Sequence, residues 1–167
     1  MNVEIYKNED YNGTCFLLKS SFGSDKDLVI TPELMLRVII RHPENHGEII
    51  AHAALYVREM YNEGDAFIAG IIGDVAVSPE FQRQGLATKM LSVIHGHLKK
   101  ESIYYSFLFA YQTEIYKKSG YHDLVLPIYY FDVLDNRWNT YLYNGAMLRC
   151  VINNQLRGMI NFNGRTY

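Results

Sequence analysis

The chain is poor in the residues that mark several classes of protein. Its 167 residues include only two cysteines, Cys15 and Cys150, which are too few for a disulfide scaffold and match no zinc-ligand spacing. We therefore interpret both as reduced, buried thiols. No apolar run approaches the ~20 residues that a membrane helix needs, and residues 1–10 lack the apolar region of a signal peptide. We expect a cytoplasmic protein that binds no membrane.

An excess of either charge is also missing. Lys and Arg total 16 against 18 for Asp and Glu, so the formal net charge is -2. That balance gives no overall field to hold nucleic acid. With 49% hydrophobic residues the chain is not disordered, and no repeat, low-complexity tract or linker divides it. We expect a single domain over residues 1–167.

Hydrophobic periodicity predicts mostly antiparallel strands in the first half of the chain. Asp10 is a candidate cap for a helix that reaches about Ser20. Runs rich in β-branched and apolar residues follow, and clusters of turn residues between them indicate hairpins. The predicted strands cover residues 3–6, 36–41, 48–61 and 66–77.

The period becomes helical after Ser78 and Pro79. From Phe81 onward, apolar residues recur on one helical face, and Lys99 and Lys100 complement the dipole at the end of the helix. A strand over 103–110, a short helix over 113–119 and strands over 124–133 and 146–152 follow. Antiparallel strands followed by two βα units predict an α+β fold with a mixed sheet, not a doubly wound fold.

The segment from Gly73 to Ala87 combines a strand, a tight loop and the start of a helix. Backbone N–H groups over residues 82–87 lack partners there and form a cradle for a pyrophosphate, helped by the positive end of the helix dipole. Gly85 and Ala87 let phosphate oxygens approach the backbone, and Arg83 can add a charge. For a lone Gly-x-Ala, an ordinary capped helix would be the better explanation.

Two patterns in this order carry a family resemblance. Gln82-x-x-Gly85-x-Ala87 after a Val-x-Val strand end resembles the acyl-CoA motif of the GNAT superfamily of N-acyltransferases. Tyr116 and Gly120 lie in a stretch similar to the Y-x-x-x-G-F/Y segment on the helix after the fifth strand. The resemblance implies a three-layer α/β GNAT fold, with a splayed, mostly antiparallel sheet flanked by helices, and acetyl-CoA as co-substrate without a metal.

The resemblance also implies where acetyl-CoA lies. The strand over 75–77 would splay from the strand over 105–109, and the pantetheine amides would pair with its free backbone groups as an added strand does. The implied cofactor-binding residues are Val75, Ala76, Val77, Gln82, Arg83, Gln84, Gly85, Leu86, Ala87 and Thr88.

Residues 46–77 and the tail over 161–167 further resemble the aminoglycoside 2'-N-acetyltransferases, in which the tail helps to form the aminosugar pocket. Two acidic residues of that branch fall at Gly73 and Arg165 here. A polycationic acceptor needs clustered carboxylates. We therefore expect the cofactor chemistry to carry over and aminoglycoside specificity not to.

The expected reaction is direct attack of a neutral amine on a thioester, which needs a proton acceptor and a donor for the leaving thiolate. Tyr116 is the candidate acid. Asp74 is the candidate base, directly or through a water, although a purely structural strand-end aspartate explains it equally well. Strict alternation places Asp74 on the face opposite Val75 and Val77 unless a bulge turns the strand.

A small-molecule amine is the expected acceptor, and five residues are expected to bind it. The loop near Asp25, the strands that carry His52 and Glu59, and the tail with Arg165 and Tyr167 would form the pocket jointly. A satisfied core histidine is the alternative for His52. Arg165 lies beside the groups that would bind the ammonium of the acceptor, and it could bind an anion. The pocket therefore favours an amine that also carries an anionic group.

Two other functions and two assembly states stay open at this point. A protein or peptide N-acetyltransferase would need an open groove, and a non-catalytic CoA-binding module would account for the loss of an acidic residue at Gly73. The tyrosines near the C-terminus are compatible with a homodimer edge and with solvent-facing side chains of a monomer.

Overall fold

The computed structural model describes all of residues 1–167, with three helices and ten strands. The helices are α1 (Tyr11–Phe22), α2 (Leu86–Lys100) and α3 (Glu114–Lys117). The strands are β1 (Glu4–Ile5), β2 (Leu34–Arg41), β3 (Ile49–Asn62), β4 (Asp65–Val77), β5 (Tyr105–Phe109), β6 (His122–Asp123), β7 (Ile128–Asp132), β8 (Arg137–Tyr141), β9 (Ala146–Cys150) and β10 (Ile160–Asn161).

The chain folds as two compact units. Unit 1 contains Met1–Tyr56 and Gly73–His97, and unit 2 contains Val57–Ile72 and Leu98–Tyr167. The strands β3 and β4 and the helix α2 each contribute residues to both. The expected single domain over residues 1–167 stays a prediction.

Unit 1 is an antiparallel sheet packed against α1. β2 pairs with β1 and with the first half of β3, which places Ile39 opposite His52. The core joins apolar side chains from the helix, the following loop and the three long strands: Leu17, Leu18, Leu28, Ile39, Ile49 and Ala76. Residues 36–40 of β2 and 49–56 of β3 are all buried, so these strands are covered on both faces and one of the faces contributes to this core.

Asp10 does not cap α1 as predicted. Its carboxylate, only 3% exposed, accepts hydrogen bonds from the backbone N–H of Lys7 at 2.8 Å and from Arg41 Nη2 at 2.6 Å. No side-chain hydrogen bond caps the helix, which runs to Phe22 and ends at Gly23. The prediction was wrong because a partner distant in sequence takes the carboxylate.

Unit 2 is a mixed sheet with the strand order β6-β9-β5-β4-β3-β10-β7-β8. β4 and β5 are parallel from the Ala69–Tyr105 pair to the Ile72–Leu108 pair, and β4 continues to Val77. β10 inserts between β3 and β7, antiparallel to the first and parallel to the second. The sequence did not predict β6, β8 or β10, because β6 and β10 are too short for a periodic signal and β8 is largely exposed.

The helix α2 begins at Leu86, later than the predicted start at Phe81. Residues Pro79–Phe81 form one 3₁₀ turn, and residues 82–85 form a loop. The predicted apolar face is confirmed, since each of its members is at most 2% exposed: Leu86, Met90, Leu91, Ile94 and Leu98. The mixed sheet with flanking helices confirms the predicted fold class. None of the helices has the length and apolar character to cross a bilayer.

Candidate active site

An exposed loop of defined shape connects β4 to α2. Arg83 and Gly85 both adopt the left-handed conformation, with φ values of 63° and 75°. The side-chain amide of Gln82 donates to the carbonyl of Val77 at 3.1 Å, and that of Gln84 donates to the carbonyl of Glu80 at 3.4 Å. These side chains tie the loop to the segment before it and leave the loop backbone exposed.

The start of α2 presents backbone donors with no partner inside the helix. The N–H of Lys89 bonds to the carbonyl of Gly85 at 3.0 Å. The N–H groups of Leu86, Ala87 and Thr88 precede that bond, so no helical carbonyl lies behind them. A Cβ added at Gly85 would meet no atom within 4 Å. Open space, free donors and the positive end of a 15-residue helix together fit an anionic group such as a pyrophosphate.

The end of β4 contains one residue with an unusual backbone, Asp74. Its φ of 53° is a left-handed value, which is uncommon for a residue other than glycine. Asp74 and Ala76 are buried, whereas Val75 and Val77 are half-buried. This burial pattern fits strict alternation, which places Asp74 on the face opposite Val75 and Val77.

The Asp74 carboxylate is buried, and both of its oxygens have partners in unit 1. Oδ1 lies 2.6 Å from Lys26 Nζ, and Oδ2 accepts a hydrogen bond from the Tyr56 hydroxyl at 3.0 Å. Each carboxylate oxygen can accept a second hydrogen bond, so these two contacts leave acceptor capacity at Asp74. The sequence analysis singled out neither Lys26 nor Tyr56, although Lys26 adjoins the predicted acceptor residue Asp25.

His52 is a fully buried, neutral ring. Its Nδ1 lies 2.9 Å from the carbonyl oxygen of Asp74, which can only accept, so Nδ1 carries the proton and Nε2 has a lone pair. Nε2 is buried without a hydrogen-bond partner. Burial lowers the pKa of the ring to about 4. Because the side chain is 0% exposed, it offers no surface to an acceptor. The structure replaces the predicted acceptor contact with the alternative, a core histidine.

Tyr116 lies on the short helix α3 in unit 2 and is half-buried. Burial raises the pKa of its phenol, so the hydroxyl keeps its proton at neutral pH. Its ring meets that of Tyr121 edge-on, with 6.4 Å between the centroids. Tyr121 is itself buried, and its hydroxyl shares a 2.9 Å hydrogen bond with Ser106. Tyr121 therefore serves packing, and Tyr116 has the chemistry of a proton donor.

The predicted acceptor residues divide between the units. In unit 2 the structure brings Glu59 and the tail together: Asn163 Nδ2 donates to the Glu59 carbonyl at 3.3 Å. The guanidinium carbons of Arg58 and Arg165 lie 5.2 and 4.7 Å from the Tyr167 ring centroid. The sequence analysis missed Arg58.

Asp25, in unit 1, is exposed and accepts a 3.2 Å hydrogen bond from Ser24. Its part in a joint acceptor pocket stays a prediction. No group of three His, Cys, Asp or Glu side chains is arranged to hold a metal ion.

Comparison with known proteins places these features in a family. The family described as acetyltransferase (GNAT) domain matches residues 3–123. No curated protein matches the chain.

Solved structures share the fold at low sequence identity. The GNAT family N-acetyltransferase YhbS from Escherichia coli, solved in complex with CoA, has a TM-score of 0.70 and 15% identity, with 95% of this chain and 87% of that chain covered. The Escherichia coli N-acetyltransferase for an alanine of a ribosomal protein has a TM-score of 0.61 and 14% identity, with 92% of this chain and 96% of that chain covered.

A longer protein matches over part of its length. This is a probable N-acyltransferase from Enterococcus faecalis, with a TM-score of 0.63 and 15% identity, for which 75% of this chain and 33% of that chain are covered. The chain thus spans about a third of that relative. The finer resemblance to the aminoglycoside 2'-N-acetyltransferases stays a prediction.

Proposed function

The chain belongs to the GNAT acetyltransferase family, and we propose that it transfers an acetyl group from acetyl-CoA to the primary amine of a small molecule. The amine nitrogen attacks the thioester carbonyl carbon, the C–N bond forms and the C–S bond breaks. CoA leaves as a thiol once its sulfur gains a proton, and the amine nitrogen loses one. The observation that carries the proposal is the exposed loop over 82–85, which precedes free N–H groups at the start of α2.

The loop and the end of β4 would hold the two parts of CoA. The N–H groups of Leu86, Ala87 and Thr88 suit the pyrophosphate, and the exposed side chain of Arg83 supplies a cation nearby. Val75 and Val77 offer backbone groups to the pantetheine amides, as a sheet edge offers them to an added strand. The left-handed backbone of Asp74 supports this assignment, because such strained φ values cluster at ligand-binding and catalytic sites.

Tyr116 is the proposed proton donor to the leaving thiolate. Its phenol is protonated at neutral pH and no protein acceptor competes for its proton, which suits a general acid. Asp74 is the proposed proton acceptor, directly or through a water, since each of its oxygens has one contact, to Lys26 or to Tyr56, and keeps a further lone pair. His52 supports Asp74 by holding its backbone carbonyl at 2.9 Å.

A small-molecule acceptor is favoured by the way the tail is bound in unit 2. β10 fills the position between β3 and β7, so the chain itself occupies an edge that an extended peptide would otherwise need. Phe162 is 0% exposed, which anchors the tail. Arg165 next to Tyr167 favours an amine that also bears a carboxylate, phosphate or sulfate over a pure polycation. An aminoglycoside is a polycation and therefore only one named candidate among several.

The experiment is calorimetric titration with acetyl-CoA, followed by a free-thiol release assay against a panel of amines. Aminoglycosides, polyamines, amino sugars, amino acids and peptides each form one arm. Release with a small amine and not with peptides supports the proposal. Release with peptides alone would make the chain a peptide N-acetyltransferase, and binding without release in any arm would make it a CoA-binding module. The Tyr116→Phe protein is the control for enzyme-dependent release.

A further inference from the structure

Unit 1 contains a cavity that none of the proposed acetyl-transfer residues line. Its volume is about 460 Å³, a size suited to a small organic ligand. It lies among β1, the start of α1 and the segment over 28–37. Most of its wall is apolar, with Ile5, Tyr11, Leu28, Ile30, Leu34 and Met35 as the main contributors.

The apolar wall of the cavity contains one buried cation, the guanidinium of Arg37. Arg37 is only 6% exposed, and its Nη2 donates to the carbonyl of Val29 at 2.5 Å. Its guanidinium carbon lies 5.6 Å from the centroid of the Tyr6 ring, and its Nε is buried without any hydrogen-bond partner. No carboxylate of the chain pairs with it.

The next arginine on the same face of β2 is bound differently. Arg41 pairs with Asp10 at 2.6 Å and with Glu4 at 3.2 Å, so its charge is neutralised by the chain. An arginine on this face of the sheet can therefore be paired with carboxylates of the chain, as Arg41 is. Burying a cation without a counter-anion is unfavourable. The guanidinium of Arg37 contacts a carbonyl and an aromatic ring but no anion, so an external anion would complete its environment.

We propose that this cavity binds a small organic monocarboxylate with an apolar body, with Arg37 as its anchor. A guanidinium matches the planar carboxylate group and donates to both of its oxygens. One cation lines the cavity, so a single negative charge is balanced while a dianionic phosphate is not. The apolar wall, which includes Ile5 and Ile30, receives the hydrocarbon part, and the amide of Asn8 is available for a polar contact.

The test is titration of the full chain with 3-phenylpropanoate and hexanoate, and with their uncharged amides. We expect the carboxylates to bind and the amides to bind at least about tenfold more weakly, since a charged hydrogen bond is lost. Arg37→Met should weaken carboxylate binding on the order of ten- to a hundredfold. Without ligand it should melt at an equal or higher temperature, because an unpaired buried charge is removed. Arg137→Met, which removes an exposed arginine outside the cavity, is the control and should keep the affinity.

A second variant makes the test independent of how Arg37→Met folds. Ile30 is 78% exposed, so Ile30→Asp should leave the fold intact while it adds a negative charge to the cavity wall. This variant should bind the carboxylates more weakly and the amides with unchanged affinity. Three results would overturn the proposal: no saturation of the wild-type chain at millimolar carboxylate, unchanged affinity in folded Arg37→Met, or loss of binding under saturating acetyl-CoA. The last would assign the anion to the CoA site.

Discussion

The Tyr56 hydroxyl donates a 3.0 Å hydrogen bond to the Asp74 carboxylate in the interior of unit 1. The two residues lie on neighbouring strands, and the left-handed backbone of Asp74, with a φ of 53°, aims the carboxylate at its partner. Lys26, from the loop after α1, completes the contact at 2.6 Å. Asp74 therefore joins the loop after α1 to two neighbouring strands, and its structural role can be measured separately from its role in proton transfer.

Tyr56→Phe should destabilise the fold by about 1–2 kcal/mol, because it leaves a buried carboxylate oxygen without its donor. Urea denaturation of the folded protein gives this value. Tyr61→Phe is the matched control, since the Tyr61 hydroxyl donates to the exposed Glu59, and its effect should stay below about 0.5 kcal/mol. Equal losses in the two variants would show that the Tyr56 contact contributes no more than a surface hydrogen bond.

Gly85→Glu should abolish acetyl-CoA binding, because its side chain and charge enter the open space in front of the loop. Calorimetric titration measures the affinity. Gly96→Glu adds the same charge to an exposed position of α2 and should bind acetyl-CoA normally. Because Gly85 has a φ of 75° and a side chain there is strained, Arg83→Glu serves as a second loop variant. Normal affinity in both folded loop variants would refute the phosphate assignment.

Tyr116→Phe should lower turnover roughly 10²–10⁴-fold and leave acetyl-CoA affinity nearly unchanged, as expected when a general acid is removed. Steady-state thiol release and calorimetry measure the two quantities. Tyr111→Phe changes a fully exposed tyrosine nearby in sequence and should have no effect. A decrease of less than about twofold in the Tyr116 variant would leave that ring with a packing role alone.

His52 should make the stability of the fold depend on pH. Burial holds its pKa at about 4, against an ordinary value of 6.5, so below pH 6.5 the unfolded chain binds a proton that the folded chain does not. The stability that the fold gains by keeping His52 neutral is therefore fully present above pH 6.5, and it is lost as the pH falls toward 4. The difference corresponds to about 3 kcal/mol.

Urea denaturation between pH 4 and pH 7 measures this dependence. His52→Asn should reduce the dependence of the free energy of unfolding on pH. The same change at the exposed His122 should leave that dependence as it is in the wild type. A wild-type slope that persists in the His52 variant would assign the pH dependence to other groups.

Arg165→Asp should shift acceptor preference toward polycationic amines such as aminoglycosides, because it replaces a cation of the proposed pocket by an anion. The ratio of kcat/KM for an aminoglycoside to that for an amino acid measures the shift. Deleting residues 165–167 should raise the acceptor KM and spare acetyl-CoA binding. An unchanged ratio, together with an unchanged acceptor KM in the shortened chain, would exclude the tail from the pocket.

The motif residues and the long elements could be predicted from the sequence because their signals are local. Runs rich in β-branched and apolar residues, bounded by turn residues, placed β2, β3 and β4, and the recurrence of apolar residues placed the buried face of α2. The spacing of Gln82, Gly85 and Ala87 indicated an anion cradle at the start of that helix, since such a cradle is built from consecutive residues.

Partners distant in sequence were decided by the tertiary structure alone. Asp10 binds Arg41 instead of capping α1, and Asp74 contacts Lys26 and Tyr56, which lie on other elements. Arg37 and Arg41 are alike in the sequence pattern of β2, and only the fold gives carboxylates to the second and an apolar cavity to the first. Periodicity reports which face of an element is buried, but the free energy of a buried charge depends on the groups that folding brings next to it.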